Sequence, residues 1–272
     1  MTTDPSSPAA APAVPPAAPP SLALGTLRLA SPFGWLARGW RDLWAAWPQS
    51  LFFGACFWAM AVVLRLVFRG SPEWTMTMVS GCFLVGPFLA MGLYDISRRR
   101  GAGLPQDLAA SLTCWDRHLP SMGMLVLVLM VLELLWGRAS LVVFAVFFYT
   151  GMPTTAGVLQ AVFNPHNWQF VAVYALVGGI FAALVYSTCA VSIPMIMDRG
   201  LDAITAGLRS FQLVLSRPGV MLLWGLLIVA LTLAALALPW AAGVLVVVPW
   251  LGHATWHGYR QVMPPAADAA LA

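Results

Sequence analysis

The stretch from Gly86 to Arg100, GPFLAMGLYDISRRR, is an apolar run that ends in three consecutive arginines. A water-soluble core has no use for that order of residues. A membrane helix leaving the bilayer on the cytoplasmic side does, because arginine is costly to translocate and sits readily among anionic headgroups. Tyr94 stands where a ring with an apolar body and a polar tip meets the hydrocarbon boundary. Pro87, with Gly86, Ala90 and Gly92, marks a helix that bends or packs closely on a neighbour. With this end placed inside, every other apolar run takes its direction from it.

Composition supports a chain of many crossings. Of the 272 residues, 60% are hydrophobic and 9% charged, whereas a soluble domain carries about 25% charged residues. The fourteen basic residues are all arginine, and the net charge is +4. They sit at helix ends rather than in one soluble patch, so no nucleic-acid partner is expected. The expected partners are the lipid bilayer and other membrane proteins. Cys56, Cys82, Cys114 and Cys189 lack metal-ligand spacing and read as small reduced core residues. The first residues carry no positive segment and the first long apolar run begins near residue 49, so no cleaved leader is expected.

Residues 1–32 form a Pro/Ala-rich tail and lead-in, expected to be disordered and cytoplasmic over residues 1–20, because they bury too little to offset the entropy of ordering. Residues 33–263 form the transmembrane domain and 264–272 a short C-terminal tail. Phe33 to Trp47 is amphipathic: Leu36, Trp40, Leu43, Trp44 and Trp47 recur at helical spacing, with Arg38, Arg41 and Asp42 on the other side. Pro48 starts the first crossing, over 49–68, and a polar turn at 70–73 leads to the second, over 74–96. Leu104 to Leu119 is again amphipathic, and Pro120 starts a third run over 121–150. At ~1.5 Å per residue that run exceeds a ~30 Å hydrocarbon thickness, so it tilts, kinks near Gly137 or emerges as a turn. Residues 151–167 read as an external loop, 168–197 as the fourth helix and 202–217 as a third amphipathic stretch. Pro218 starts the fifth helix, over 219–238; Pro239 and Trp240 make a tight outer turn, and the sixth helix runs to about residue 262.

An internal repeat emerges. Each unit is an amphipathic helix, a proline (Pro48, Pro120, Pro218), an outgoing helix, and a returning helix with its own proline (Pro87, Pro194, Pro249) and a following arginine. The units are 33–100, 104–199 and 202–260. Only Arg65, Arg69 and Arg138 fall on the outer side, with Trp74, Trp136, Trp168 and Trp240 as an outer belt. The expected fold is an all-α integral membrane protein with six transmembrane helices in three repeat units, both termini cytoplasmic.

Four stretches carry a family resemblance: SPFGWLARGWRDLWAAWPQSL (31–51), GPFLAMGLYDISRRR (86–100), SIPMIMDRGLDAITA (192–206) and GHATWHGYR (252–260). Together they resemble a family of bacterial integral membrane proteins, domain-of-unknown-function family 2189, over nearly the whole chain after the tail. The resemblance implies a multi-pass inner-membrane protein and carries no catalytic residue with it.

Three groups of residues stand out chemically. His253 and His257 are four apart and share a helix face, a spacing that suits a transition metal or an axial haem ligand, or that places both imidazoles among headgroup partners. Glu133 lies deep in the third helix, where an unpaired carboxylate is expensive, and a cluster with Arg65 and Arg138 is expected. Asp95 and Asp198 end the second and fourth helices beside Arg98, Arg99, Arg100 and Arg199, as ion pairs anchoring the cytoplasmic interface. No phosphate loop, dinucleotide fingerprint, nucleophile elbow or zinc-protease pair is present. A non-enzymatic carrier or an accessory or scaffold module accounts for these features. The alternatives are a haem- or metal-binding redox protein using His253 and His257, and a membrane-embedded enzyme acting on lipids.

Overall fold

A proline stands at the first or second position of each expected outgoing helix, where its missing N–H costs no helical bond. The computed structural model describes residues 27–71, 74–148 and 167–264. The tail 1–20, most of the lead-in, most of the loop 151–167 and nearly all of the C-terminal tail lie outside the described residues. Regular structure within them is helical throughout. In chain order the helices are α1 (Ser31–Ala45), α2 (Trp47–Gly70), α3 (Thr75–Gly101), α4 (Leu108–Leu112), α5 (Leu119–Phe147), α6 (Trp168–Cys189), α7 (Ser192–Arg199), α8 (Ala203–Ser216), α9 (Pro218–Ala237) and α10 (Val244–Val262). Short 3-10 turns at Asp116–His118 and Pro239–Ala241 complete the path. Pro48 and Pro120 fall in the first turns of α2 and α5, and Pro218 opens α9.

Five segments are long and apolar enough to cross a membrane: Trp47–Gly70, Thr75–Gly101, Leu108–Phe147, Trp168–Arg199 and Pro218–Ala237. In the most apolar stretch of each, only 11% to 28% of residues are buried within the protein. Helices that exposed would be insoluble in water, so their outer faces belong against lipid. The remaining long helix, α10, carries His253, Thr255, His257, Arg260 and Gln261 in its second half. It falls short of that apolarity, yet it is the helix around which α1, α2, α3 and α9 gather.

Glycines permit this gathering. A Cβ at Gly39 on α1 would stand 2.5 Å from the backbone nitrogen of Ala254 on α10. At Gly54 on α2 it would run into the carbonyl of Leu245. Side chains at either position would force the helices apart, as at close crossings in membrane bundles generally. The largest buried core lies at the arginine-rich end and includes Trp35, Tyr94, Met195, Ile196, Trp224, Trp256 and Tyr259. At the other end, α5 and α6 are joined by an aromatic seam of Phe144, Phe147, Phe148, Phe170 and Tyr174.

Three elements differ from the sequence expectation. The stretch Leu104 to Leu119 is not one helix but the five-residue α4 and a 3-10 turn. Pro105 delays the start until Asp107 caps the amides of Ala109 and Ala110, and the Thr113 hydroxyl bonds back to the Ala109 carbonyl at the exit. The fourth helix, expected to be continuous over 168–197, breaks between α6 and α7. Pro194 has no N–H for the Ala190 carbonyl and its ring crowds that oxygen. The Val191 amide instead donates to Ser210 Oγ on α8 at 3.3 Å. In α1 the buried face is Trp35, Leu36, Gly39, Asp42 and Leu43, with Trp40 and Trp44 exposed, and Trp47, also exposed, already opens α2. Asp42, expected on the solvent side, points inward.

Candidate functional site

The inward turn of Asp42 is explained by what it meets. His253 on α10 is fully buried. Its Nε2 lies 2.9 Å from Ser50 Oγ on α2, and its Nδ1 lies 2.8 Å from Ser97 Oγ on α3. One turn further along α10, His257 Nε2 is 2.8 Å from Asp42 Oδ2. Arg100 Nη1 on α3 sits 3.3 Å from Asp42 Oδ1 and donates to the Arg41 carbonyl at 2.6 Å. Side chains from α1, α2, α3 and α10 thus form one polar lock. The Trp35 indole N–H, donating to Gln261 Oε1 at 2.6 Å, and the Trp250 indole, donating to the Leu36 carbonyl at 2.8 Å, fasten α1 to α10 on either side of it.

A neutral imidazole has one N–H and one bare nitrogen, so of Ser50 and Ser97 one donates to the His253 ring and the other accepts from it. Burial pushes the Asp42 carboxyl up, but the hydrogen bonds from His257 and Ser97 and the charge of His257 outweigh it. The net effect holds Asp42 below the usual carboxylate range.

The other two interfacial carboxylates are also engaged. Asp95 is buried; its Oδ1 takes Arg98 Nη2 at 2.5 Å and Nε at 3.0 Å, and its Oδ2 accepts from Ser111 Oγ at 2.9 Å. Arg99, also in reach of Asp95 by spacing, turns instead to the Pro105 carbonyl. Asp198 Oδ2 accepts from the Tyr259 hydroxyl at 2.5 Å and lies 3.5 Å from both Arg199 and Arg260. Asp95, Asp198, Arg98, Arg100 and Arg199 therefore pair at the helix ends, and Asp198 adds a tie from α7 to α10.

The structure does not bring the Arg65–Glu133–Arg138 group together. Among the described residues Glu133 has no ion pair. Its Oε2 accepts from Ser80 Oγ on α3 at 3.0 Å, and its Oε1 has no partner. Arg65 instead lies over the Trp240 ring, 5.8 Å from its centroid, and Arg138 is exposed. The reason is rotational: Glu133 faces α3, whereas Arg65 faces the turn after α9. Nor do His253 and His257 present a shared pair of free nitrogens. A metal at His253 would have to displace a serine, and among the described residues no group of three or more His, Cys, Asp or Glu side chains converges as a metal site would require.

Sequence reasoning missed Asp42, Ser50 and Ser97. Their signal was a carboxylate on an amphipathic helix and two serines near the ends of apolar ones, which fits water-facing side chains equally well until their partners are known. No curated protein and no solved structure matches the chain. One family model does, over residues 75–198, which run from α3 through α7. That model is described as predicted integral membrane protein (DUF2189), the family that the sequence stretches resemble, and of those stretches it takes in 86–100 and the first part of 192–206.

Proposed function

We propose that this protein is a non-enzymatic accessory or scaffold module of the bacterial inner membrane, crossing six times in three repeat units with both termini in the cytoplasm. The observation that carries this reading is how the polar side chains at the arginine-rich end are used. Asp42, Asp95, Asp198, His253 and His257 are each bonded to a neighbouring element or to an arginine at the same helix end. A catalytic or carrier site keeps such groups free to meet a substrate. The order of elements supports the three units: α1 with α2 and α3, α4 with α5 and α6–α7, α8 with α9 and α10. The arginines carried along α1 and gathered at the ends of α3, α7 and α10 support a cytoplasmic placement of that face. Lipid and partner membrane proteins then meet the exposed apolar faces of the five long spans.

Absorption spectroscopy and elemental analysis of the protein purified in mild detergent test the non-enzymatic reading, together with chromatography of phospholipids incubated with it. The expected result is no Soret band, no stoichiometric metal and unaltered lipid. A chromophore or metal that is lost in His253→Ala, or a new lipid product, overturns it.

A further inference from the structure

A cavity of about 380 Å³ opens at the arginine-rich end between α3 and the segment that follows α4, within the roughly 300–1,000 Å³ that ligand sites occupy. Its charged lining is Arg98, Arg99, Arg117, His118, Asp95 and Asp116. Three guanidinium groups face two carboxylates, and the carboxylates do not cancel the field evenly. Asp95 is already consumed: Arg98 takes one oxygen and Ser111 the other. Arg99 uses only its Nε, on the Pro105 carbonyl, so its two terminal nitrogens make no bond among the described residues. Arg117 is exposed and has no hydrogen bond or ion pair among the described residues. His118 lies in the field of Arg98 and Arg117. Guanidinium forks with open donors and an excess of positive charge match the oxygens of a phosphate.

The other face of the segment after α4 adds a second indication. The same segment, turned over, lines an apolar groove of about 430 Å³ with Phe88, Leu112 and Trp115. Trp115 meets Phe88 edge to face, with centroids 5.6 Å apart. A segment cationic on one face and apolar on the other suits the level where headgroups give way to hydrocarbon. We propose that the cavity bounded by Arg98, Arg99 and Arg117 binds a phosphate group, carried on an anionic phospholipid or free in solution. The site is separate from the His253 lock, and it holds whether or not the scaffold reading does.

The test is a thermal-shift and native mass spectrometry titration of the full chain in detergent. The ligands are phosphatidylglycerol, phosphatidylcholine and sodium phosphate. Two double variants are compared: Arg99→Gln with Arg117→Gln, and Arg209→Gln with Arg217→Gln as a control elsewhere on the same face. Arg117→Gln alone, at an exposed position, serves if the first double variant misfolds. The cavity variants are expected to weaken binding about tenfold or more, as the loss of charge-assisted hydrogen bonds implies, and the control to change little. Retention of phosphatidylglycerol over phosphatidylcholine, undisturbed by inorganic phosphate, identifies the lipid as the source. Binding of inorganic phosphate without competition from the lipid identifies the free ion. No binding of either, or equal losses in the cavity and control variants, overturns the proposal.

Discussion

Asp42 shows how much one carboxylate can depend on its neighbours. It is buried against His257, Arg100 and Ser97, and its carboxyl is held below the usual range. A carboxyl lowered in the folded state contributes stability in full above its unfolded pKa and loses it as pH falls through the folded value. Thermal midpoints in detergent should therefore decline as pH drops below the ordinary carboxylate range, and Asp42→Asn should flatten that decline. Its partners Arg100 and His257 are only part-buried, so Asp42→Asn should also lower stability at neutral pH by roughly 1.5–3 kcal/mol, the scale of a charge-assisted hydrogen bond. An unchanged acid limb would show that other carboxylates dominate it. Glu133 poses the opposite case. Because it meets a serine rather than an arginine, Glu133→Gln should change stability by no more than about 1 kcal/mol, additively with Arg65→Gln. A strong coupling between the two in a double-mutant cycle would restore the expected charge cluster. Asp95 with Arg98 could be read from the sequence, since three positions on a helix bring them together. Asp42 with His257 could not, being separated by 215 positions.

At the scale of elements, the helix starts were the most legible feature. Proline at 48, 120 and 218 marks a local preference that needs no tertiary partner, and α2, α5 and α9 begin there. Breaks were less legible. Pro87 and Pro249 lie inside unbroken helices, whereas Pro194 parts α6 from α7. The difference is the Ser210 hydroxyl, which receives the amide at the break and which no local pattern announces. Helix crossings depend equally on context, and two glycines of α1 make a matched pair for testing this. Gly39 abuts Ala254, while Gly34 has nothing within 4 Å of an added Cβ. Gly39→Ala should destabilise by about 1–3 kcal/mol through overpacking. Gly34→Ala should be neutral or stabilising by roughly 0.5–1 kcal/mol, from helix propensity alone. Similar effects from both would mean that α1 does not seat on α10 in this way.

Over the whole molecule, the ion pairs of the described residues gather at the arginine-rich end, while apolar and aromatic packing joins the helices at the other. In the proposed topology, reporter fusions at residue 160 and after residue 263 fall on opposite sides of the membrane, the second in the cytoplasm; the same side for both excludes six crossings. The membrane class was legible from composition and long apolar runs, because the bilayer selects for them one helix at a time. The central place of α10 was not, because its polar residues lower its hydropathy while gaining meaning only from α1, α2 and α3. That arrangement bears on the order in which the protein is made. The Trp35 indole waits for Gln261, 226 positions later, and Asp42 waits for His257. At about 5–20 residues per second, ribosomal synthesis leaves the inward face of α1 without its counterpart for roughly 10–45 s. During that interval α1 can rest only on the membrane surface, with its carboxylate in water. The earliest helix of the described chain is thus among the last to be seated, and α1 closes onto the bundle only after α10 has been made.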